Sequence, residues 1–251
     1  MNNENEEKIA VETKNNENGK KKKSKKKNII FVILFFILIA LLIVSFATIL
    51  KINKIENSPA PRPASDFPVT IDKPIIYLYP EEEIQITVTL GKYENTTCVY
   101  PEYNDGWNVI AKPNGDLIDL NTGRNLYALY WESISNVQTS DNSGFVVKGI
   151  DTAKFLEEKL AILGLTDREA QEFIIYWLPQ MQDNNYNYIR FATMEEINEM
   201  MPLHFSTEPD SLIRILMTFK PLNNYIDVPE QKLTTPIREG FVVVEWGGSK
   251  L

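Results

Sequence analysis

Residues 29–50, IIFVILFFILIALLIVSFATIL, run for 22 positions without a charge, Ser45 and Thr48 being the only polar side chains. At about 1.5 Å of rise per residue such a run is about 33 Å long as a helix, against a hydrocarbon core of about 30 Å. A signal peptide has a shorter apolar stretch of about 7–15 residues and a small-residue cleavage site. The run therefore reads as one transmembrane helix over 28–50, with cleavage after Ala47 as the alternative. Lysines 20–23 and 25–27 precede it and only Lys51 and Lys54 follow closely. The positive-inside rule then puts the N-terminus in the cytoplasm and the C-terminal part outside the cell. No ionisable residue lies within the run, which suits an anchor better than a sensor or a channel element.

Charge divides at the same place. Of 26 Lys plus Arg, nine fall in residues 1–50, against five of 34 Asp plus Glu, so the remainder carries 17 against 29, a net of −12. An acidic surface argues against nucleic acid as a partner. Residues 1–27, rich in Asn, Glu and then Lys, read as a disordered cytoplasmic tail. Residues 51–71 hold Pro59, Pro61, Pro63 and Pro68 among Ser and Ala, the composition of an extended stalk. Residues 72–251 are then enough for one extracytoplasmic domain with its own core. Cys98 is the only cysteine, so no intrachain disulfide can form. In TTCVY it reads as a small buried hydrophobe. Abundant Asn, Lys and Ile suit an AT-rich bacterium with a single membrane.

Within 72–251 the period of the pattern changes. Ile75–Tyr79 is an apolar run, and Ile84, Ile86, Val88 and Leu90 alternate with polar residues, which predicts two strands. Pro113-Asn114-Gly115-Asp116 predicts a hairpin turn, Asn121 to Arg124 a second, and Leu126–Ile134 a further strand. This β-rich first half suits an antiparallel sheet or a small sandwich, with a possible sub-boundary near 145–150. From Asp151 the period is 3.6: Leu156, Leu160 and Leu163 line one helix, ended by Gly164. Thr166 and Glu169 form a capping box for a second helix burying Ala170, Phe173, Ile174, Trp177 and Leu178, and Thr193 with Glu196 opens a shorter third. Strands are expected at Tyr186–Ala192, Leu212–Phe219 and Phe241–Trp246, the last being central. The expected class is α+β, with a helical hairpin plus strands in the second half and a long Pro-containing loop before the final strand.

KPIIYLYP at 73–80, Gly106-Trp107, Pro113-Asn114-Gly115 with Leu117, Tyr130-Trp131-Glu132, YWLP at 176–179 and VEWGG at 244–248 occur together. In that combination the chain resembles an uncharacterised family of exported or membrane-anchored bacterial proteins. The resemblance implies membership and carries no activity, so it gives no residue a role.

The chemical inventory is short. His204 is the only imidazole, so any triad must use it, and a His-rich zinc site is excluded. The bland reading is a structural His after a helix. Glu132 beside Trp131 and Glu245 beside Trp246 are the carboxylates that a glycosidase-type pair could use. If each Trp points inward, the period of 2 sends its Glu to the other face, and the expected outcome is a solvated strand face. Trp107, Tyr186 and Tyr188, flanked by polar residues, are candidates to contact a partner. Arg190 and Arg214 could pair with inward-facing acids or hold an anionic ligand. No cofactor or metal is implied. These residues point to a membrane-anchored surface module that binds a protein or an envelope glycan, with a carboxylate-dependent hydrolase as the rival.

Overall fold

The computed structural model describes residues 69–135 and 143–251, together with positions 38, 39 and 41, which are helical. The expected tail at 1–27, the stalk up to residue 68 and, but for those three positions, the membrane helix at 28–50 lie outside the described residues. Among the described residues no helix is long and apolar enough to cross a membrane.

Among the described residues from 69 onward, the fold is mixed α+β and strand-rich, with two sheets and three helices. Strands β1 (Val69–Tyr79), β2 (Ile84–Leu90), β3 (Thr96–Tyr100), β4 (Trp107–Ala111), β5 (Leu117–Asp119), β6 (Asn125–Leu126), β7 (Leu129–Ser135) and β8 (Phe145–Lys148) come first. Helices α1 (Thr152–Ile162) and α2 (Asp167–Trp177) follow. Then come β9 (Tyr186–Phe191), α3 (Met194–Met200), β10 (Leu203–Phe205), β11 (Ser211–Leu222) and β12 (Val242–Lys250). β1 thus opens slightly ahead of the expected boundary at residue 72.

The larger sheet has the order β3-β7-β1-β12-β11-β9-β8 and the smaller β10-β2-β4-β5-β6. β12 is central, as its apolar run requires. Among the named strands every pairing is antiparallel except β11 with β12. Parallel neighbours need a crossover of a dozen or more residues, which is why the chain spends residues 223–241 between them. That segment is held along its length. Gln231 bonds the backbone N–H and C=O of Phe191 at 3.0 and 2.6 Å, and Arg238 donates to the Gly164 carbonyl at 3.0 Å.

Two apolar layers flank the larger sheet. Its inner face, with Ile76, Leu78, Leu129, Trp131, Leu216 and Val243, packs on Ile86, Val88, Val109 and Leu117 of the smaller sheet and on Ile197 of α3. Its outer face, with Ile75, Tyr77, Ile215, Met217, Val244 and Trp246, packs on Leu156, Leu160, Phe173 and Trp177 of the α1–α2 hairpin. Both helices start and stop where their sequence dictates. The N–H of Gly164 bonds the Ala161 carbonyl and that of Leu165 the Leu160 carbonyl, closing α1. Thr166 and Glu169 exchange both capping bonds at α2, and Thr193 with Glu196 do so at α3. Asp151 occupies the N-cap of α1 without a side-chain bond to it. Gly248 lets Trp177 lie against β12, since a Cβ there would come within 2.6 Å of the indole.

Three expectations change. Leu126–Ile134 is not one strand. Its two ends serve different sheets, β6 the smaller and β7 the larger, and both Leu126 and Leu129 must reach the layer between them, so the chain turns at Tyr127-Ala128. Strands from both sides of the suggested division near 145–150 share one sheet, so the β-rich first half is not a sheet of its own. Cys98 is exposed, because on the edge strand β3 it is Val99 that faces the inner layer.

Candidate functional site

Two helices side by side cover about 20–24 Å, whereas seven strands at about 4.8 Å span about 29 Å. The hairpin lies over β1, β12, β11, β9 and β8, so the outer face of β7 and β3 projects beyond it. Register shows what stands there. Tyr130 is opposite Ile75 on one side and Tyr100 on the other, and Glu132 is opposite Cys98. These side chains all point outward, away from Trp131. Tyr100 and Tyr127 are 47% and 51% exposed, whereas Tyr130 and Glu132 are half-buried against the flank of α2.

The start of β1 completes this shelf. Its pairing slips on both sides between Asp72 and Ile75, and Lys73 within the slip has φ 61°. Pro74 follows, a residue compatible with a strand at such a bulge. A bulge re-aims its side chains. Here the Lys73 ammonium sits 5.9 Å from the centre of the Tyr130 ring and 5.4 Å from that of Tyr176, which comes from the last turn of α2. Further along β1, the Tyr77 hydroxyl donates to Glu172 of α2 at 2.6 Å, and its ring lies 6.3 Å from both Tyr79 and Tyr127. The turn glycine Gly115, with φ +86°, presses against Tyr79, and a Cβ there would come within 2.6 Å of that ring. A tyrosine row with three carboxylates and one lysine therefore follows the seam between α2 and β1.

Electrostatics set the protonation states. Burial, and then the charge of Glu132, push the Asp72 carboxyl above the usual carboxylate range. Burial and contact with Glu132 push the Tyr130 phenol up, and burial with the charges of Asp72 and Glu132 does the same for Tyr176. Both phenols stay protonated at physiological pH. They can donate a hydrogen bond as well as present a ring face, while Asp72 and Glu132 offer acceptors.

The expected site residues are spread over the domain. Glu132 lies on the shelf. Glu245, 3% exposed, lies on the opposite face of the sheet, so the two carboxylates do not meet. The expectation that Glu245 faces solvent is overturned, because the smaller sheet and α3 cover that side. Arg214 Nε donates to its Oε2 at 2.6 Å and Trp131 Nε1 to its Oε1 at 2.9 Å. Arg214 also donates to Asn198 Oδ1 at 2.7 Å and to the Met201 carbonyl at 2.9 Å. Arg190, also buried, grips both oxygens of Glu196 at 2.8 and 3.0 Å. Trp107 is buried, its Nε1 donating to the Pro101 carbonyl at 2.9 Å. Tyr188 is buried with its hydroxyl donating to the Ser143 carbonyl, and Tyr186 is half-buried against Tyr225. His204 is exposed on β10, opposite Thr89 at the edge of the smaller sheet. Among the described residues, no group of three or more His, Cys, Asp or Glu could hold a metal ion.

Asp72, Lys73, Tyr130 and Tyr176 are not among the residues that the sequence singles out, yet a signal for Tyr130 exists. Once Trp131 is set inward, the period of 2 puts Tyr130 and Glu132 together on the other face. Three of the segments noted above, 73–80, 130–132 and 176–179, converge here. No protein-family model matches the chain, no curated protein matches it, and no solved structure matches it.

Proposed function

We propose that the chain is a single-pass, membrane-anchored module whose domain stands outside the cell and binds an envelope glycan along the tyrosine shelf. The observation that carries this is the placement of Tyr100, Tyr130 and Tyr176 around Asp72, Lys73 and Glu132, with Tyr127 beside Tyr77, along a strand face that the α1–α2 hairpin leaves partly open. Ring faces stack on the apolar faces of sugars, and the flanking carboxylates and phenols accept and donate to their hydroxyls. The anchor and orientation rest on the apolar run 29–50 and the lysines before it.

One observation favours the hydrolase reading. Asp72, with its carboxyl held up, stands beside Glu132, and glycoside hydrolysis uses a carboxylic acid next to a second carboxylate. A single experiment separates the two. Full-length protein in detergent is sedimented with insoluble cell-wall glycan, and the pellet and the released sugars are measured. Binding predicts that wild type is retained without release of sugar, and that Tyr130→Ala/Tyr176→Ala cuts retention about tenfold or more, about 1.4 kcal/mol. Equal retention of the two proteins would sink the shelf as the binding surface. Sugar release abolished by Asp72→Asn would replace the binding reading with the hydrolase.

A further inference from the structure

The second open feature lies on the opposite side of the larger sheet's centre, where β9 leaves it. β9 pairs with β11 only from Phe191 opposite Met217 to Tyr186 opposite Leu222, and the chain then turns into α3. β11 itself continues back to Ser211, held on its other side by β12. The stretch Leu212–Ile215, about 14 Å at about 3.4 Å per residue, thus has a strand on one side and a slot of about 280 Å³ on the other. Phe191 to Met194, Gln231 to Thr234, Leu163 and Pro236 wall the slot.

Hydrogen bonding fixes what points into it. The Ala192 N–H donates to the Leu216 carbonyl at 2.8 Å. Backbone groups of alternate residues point to alternate sides of a strand, so Leu212 and Arg214 direct their N–H and C=O into the slot while Ile213 and Ile215 bond β12. Among the described residues no hydrogen bond is made by the slot-facing backbone groups of Leu212 and Arg214. Buried main-chain groups are nearly always paired, and Arg214 is a buried residue. Each nitrogen of its guanidinium is bonded on the inner face, so what the slot offers is backbone.

We propose that this slot takes up an extended segment of a partner protein as an added strand, antiparallel to β11, in the place where β9 would have continued. Main-chain bonds to Leu212 and Arg214 supply the affinity and the alternating side chains the selectivity. Residues opposite Ile213 and Ile215 fall on the outer side, among Leu163, Leu233 and Pro236, and should be apolar. The residue opposite Arg214 falls on the inner side, beside Thr193 and Met194 at the start of α3, and should be small. No Asp or Glu lines the slot and Lys232 stands at its rim, so the segment needs no basic residue even though the chain beyond residue 50 is acidic overall. The chain's own segment with Pro59, Pro61, Pro63 and Pro68 suits the slot poorly, because proline has no N–H to donate.

The test is amide hydrogen exchange on the full-length protein in detergent, with acetyl-Thr-Val-Ser-Val-Thr-amide as the probe. In the free protein the amides of Leu212 and Arg214 should exchange at least about tenfold faster than those of Ile213 and Ile215, and millimolar peptide should slow them by about tenfold. N-methylation of the central serine should remove the effect, whereas N-methylation of either valine should change it by less than about twofold, because a valine amide faces away from β11. Thr234→Trp, which fills the slot from an exposed loop position, should abolish the response with Ile213 and Ile215 still protected. The proposal fails if the two slot amides are already protected in the free protein, if the peptide changes nothing, or if methylated serine and methylated valine act alike. Protection that rises with protein concentration alone would assign the slot to a second copy and equally overturn it.

Discussion

The two faces of the larger sheet treat their acidic side chains differently. On the inner face, Glu245 and Glu196 are buried, and each is closed by an arginine that reaches it at 2.6 and 2.8 Å. On the outer face beyond α2, Asp72 and Glu132 stand among tyrosines, and no arginine pairs with them among the described residues. Glu169 shows that cover decides this, and not the face alone. It sits on the outer side but beneath the crossover loop, and Arg238 from that loop grips it at 2.9 and 3.0 Å. A carboxylate that the fold covers must be neutralised, because leaving it unpaired in a low dielectric costs several kcal/mol. The shelf carboxylates escape that demand because they keep contact with water, and so they remain available to a ligand.

Removing one inner-face partner should have the largest effect. Glu245→Leu leaves the Arg214 guanidinium buried without its counter-charge and strips the Trp131 indole of its acceptor. A loss of about 3–5 kcal/mol is expected. Arg214→Met/Glu245→Leu should regain most of it, since an apolar pair of similar volume replaces the ions without a desolvation penalty. Urea unfolding followed by tryptophan fluorescence measures both. A single-variant loss below about 1 kcal/mol would mean that water reaches the pair and that the contrast between the faces is false.

Much of this arrangement was legible in the sequence, for identifiable reasons. Both capping boxes, the Pro113–Asp116 turn, the apolar face of α2 and the central place of β12 are local chemistry, and they stand as the spacing predicts. What the sequence could not carry was partnership between distant segments. Period 2 correctly sends Glu245 away from Trp246, but nothing near residue 245 says that a second sheet and α3 wait on that side. Arg214 as a possible partner for an inward acid was legible, but which acid was not. The shelf depends on the width of a two-helix layer against that of a seven-stranded sheet, a quantity no single segment encodes. Trp107 and Tyr188 misled for a related reason. Their polar neighbours suggest exposure, while their rings pack in the core and their polar atoms are satisfied by carbonyls.

The pH dependence sharpens the contrast between covered and open carboxyls. Burial raises the Glu169 pKa, but its hydrogen bonds to Arg238 and Thr166 and the charge of Arg238 outweigh this and hold it below the usual value. A depressed folded-state value contributes stability above the unfolded value of about 4.3, lost as pH falls through the folded one. Glu169→Gln should therefore cost about 1–3 kcal/mol at neutral pH and remove part of the acid-side loss. Asp72, held up by burial and by Glu132, has the opposite sign. The folded state binds its proton more tightly, so its contribution is fully present below the unfolded value of about 3.9 and falls away as pH rises through the folded one. Asp72→Asn should raise stability at neutral pH, with the gain shrinking towards pH 4. Unfolding midpoints of the three proteins between pH 3 and 8 decide the matter. Parallel curves for both variants would erase the distinction.

The smallest effect marks the limit of the comparison. Lys154 and Glu158 lie one turn apart on α1 at 4.0 Å, with side chains 83% and 59% exposed. Here a carboxylate has a partner but no cover. Exposed pairs at this spacing contribute about 0.3–0.5 kcal/mol, and that contribution fades at high salt. Glu158→Gln should shift the urea midpoint barely beyond error in dilute buffer and not at all in about 1 M salt, where the Debye length is about 3 Å. The Glu245 variant should lose nearly the same stability in both buffers. If salt weakened the two variants alike, the inner-face pair would be as open to solvent as the surface one, and pairing on the inner face would no longer be evidence that the shelf acids were left free for a ligand.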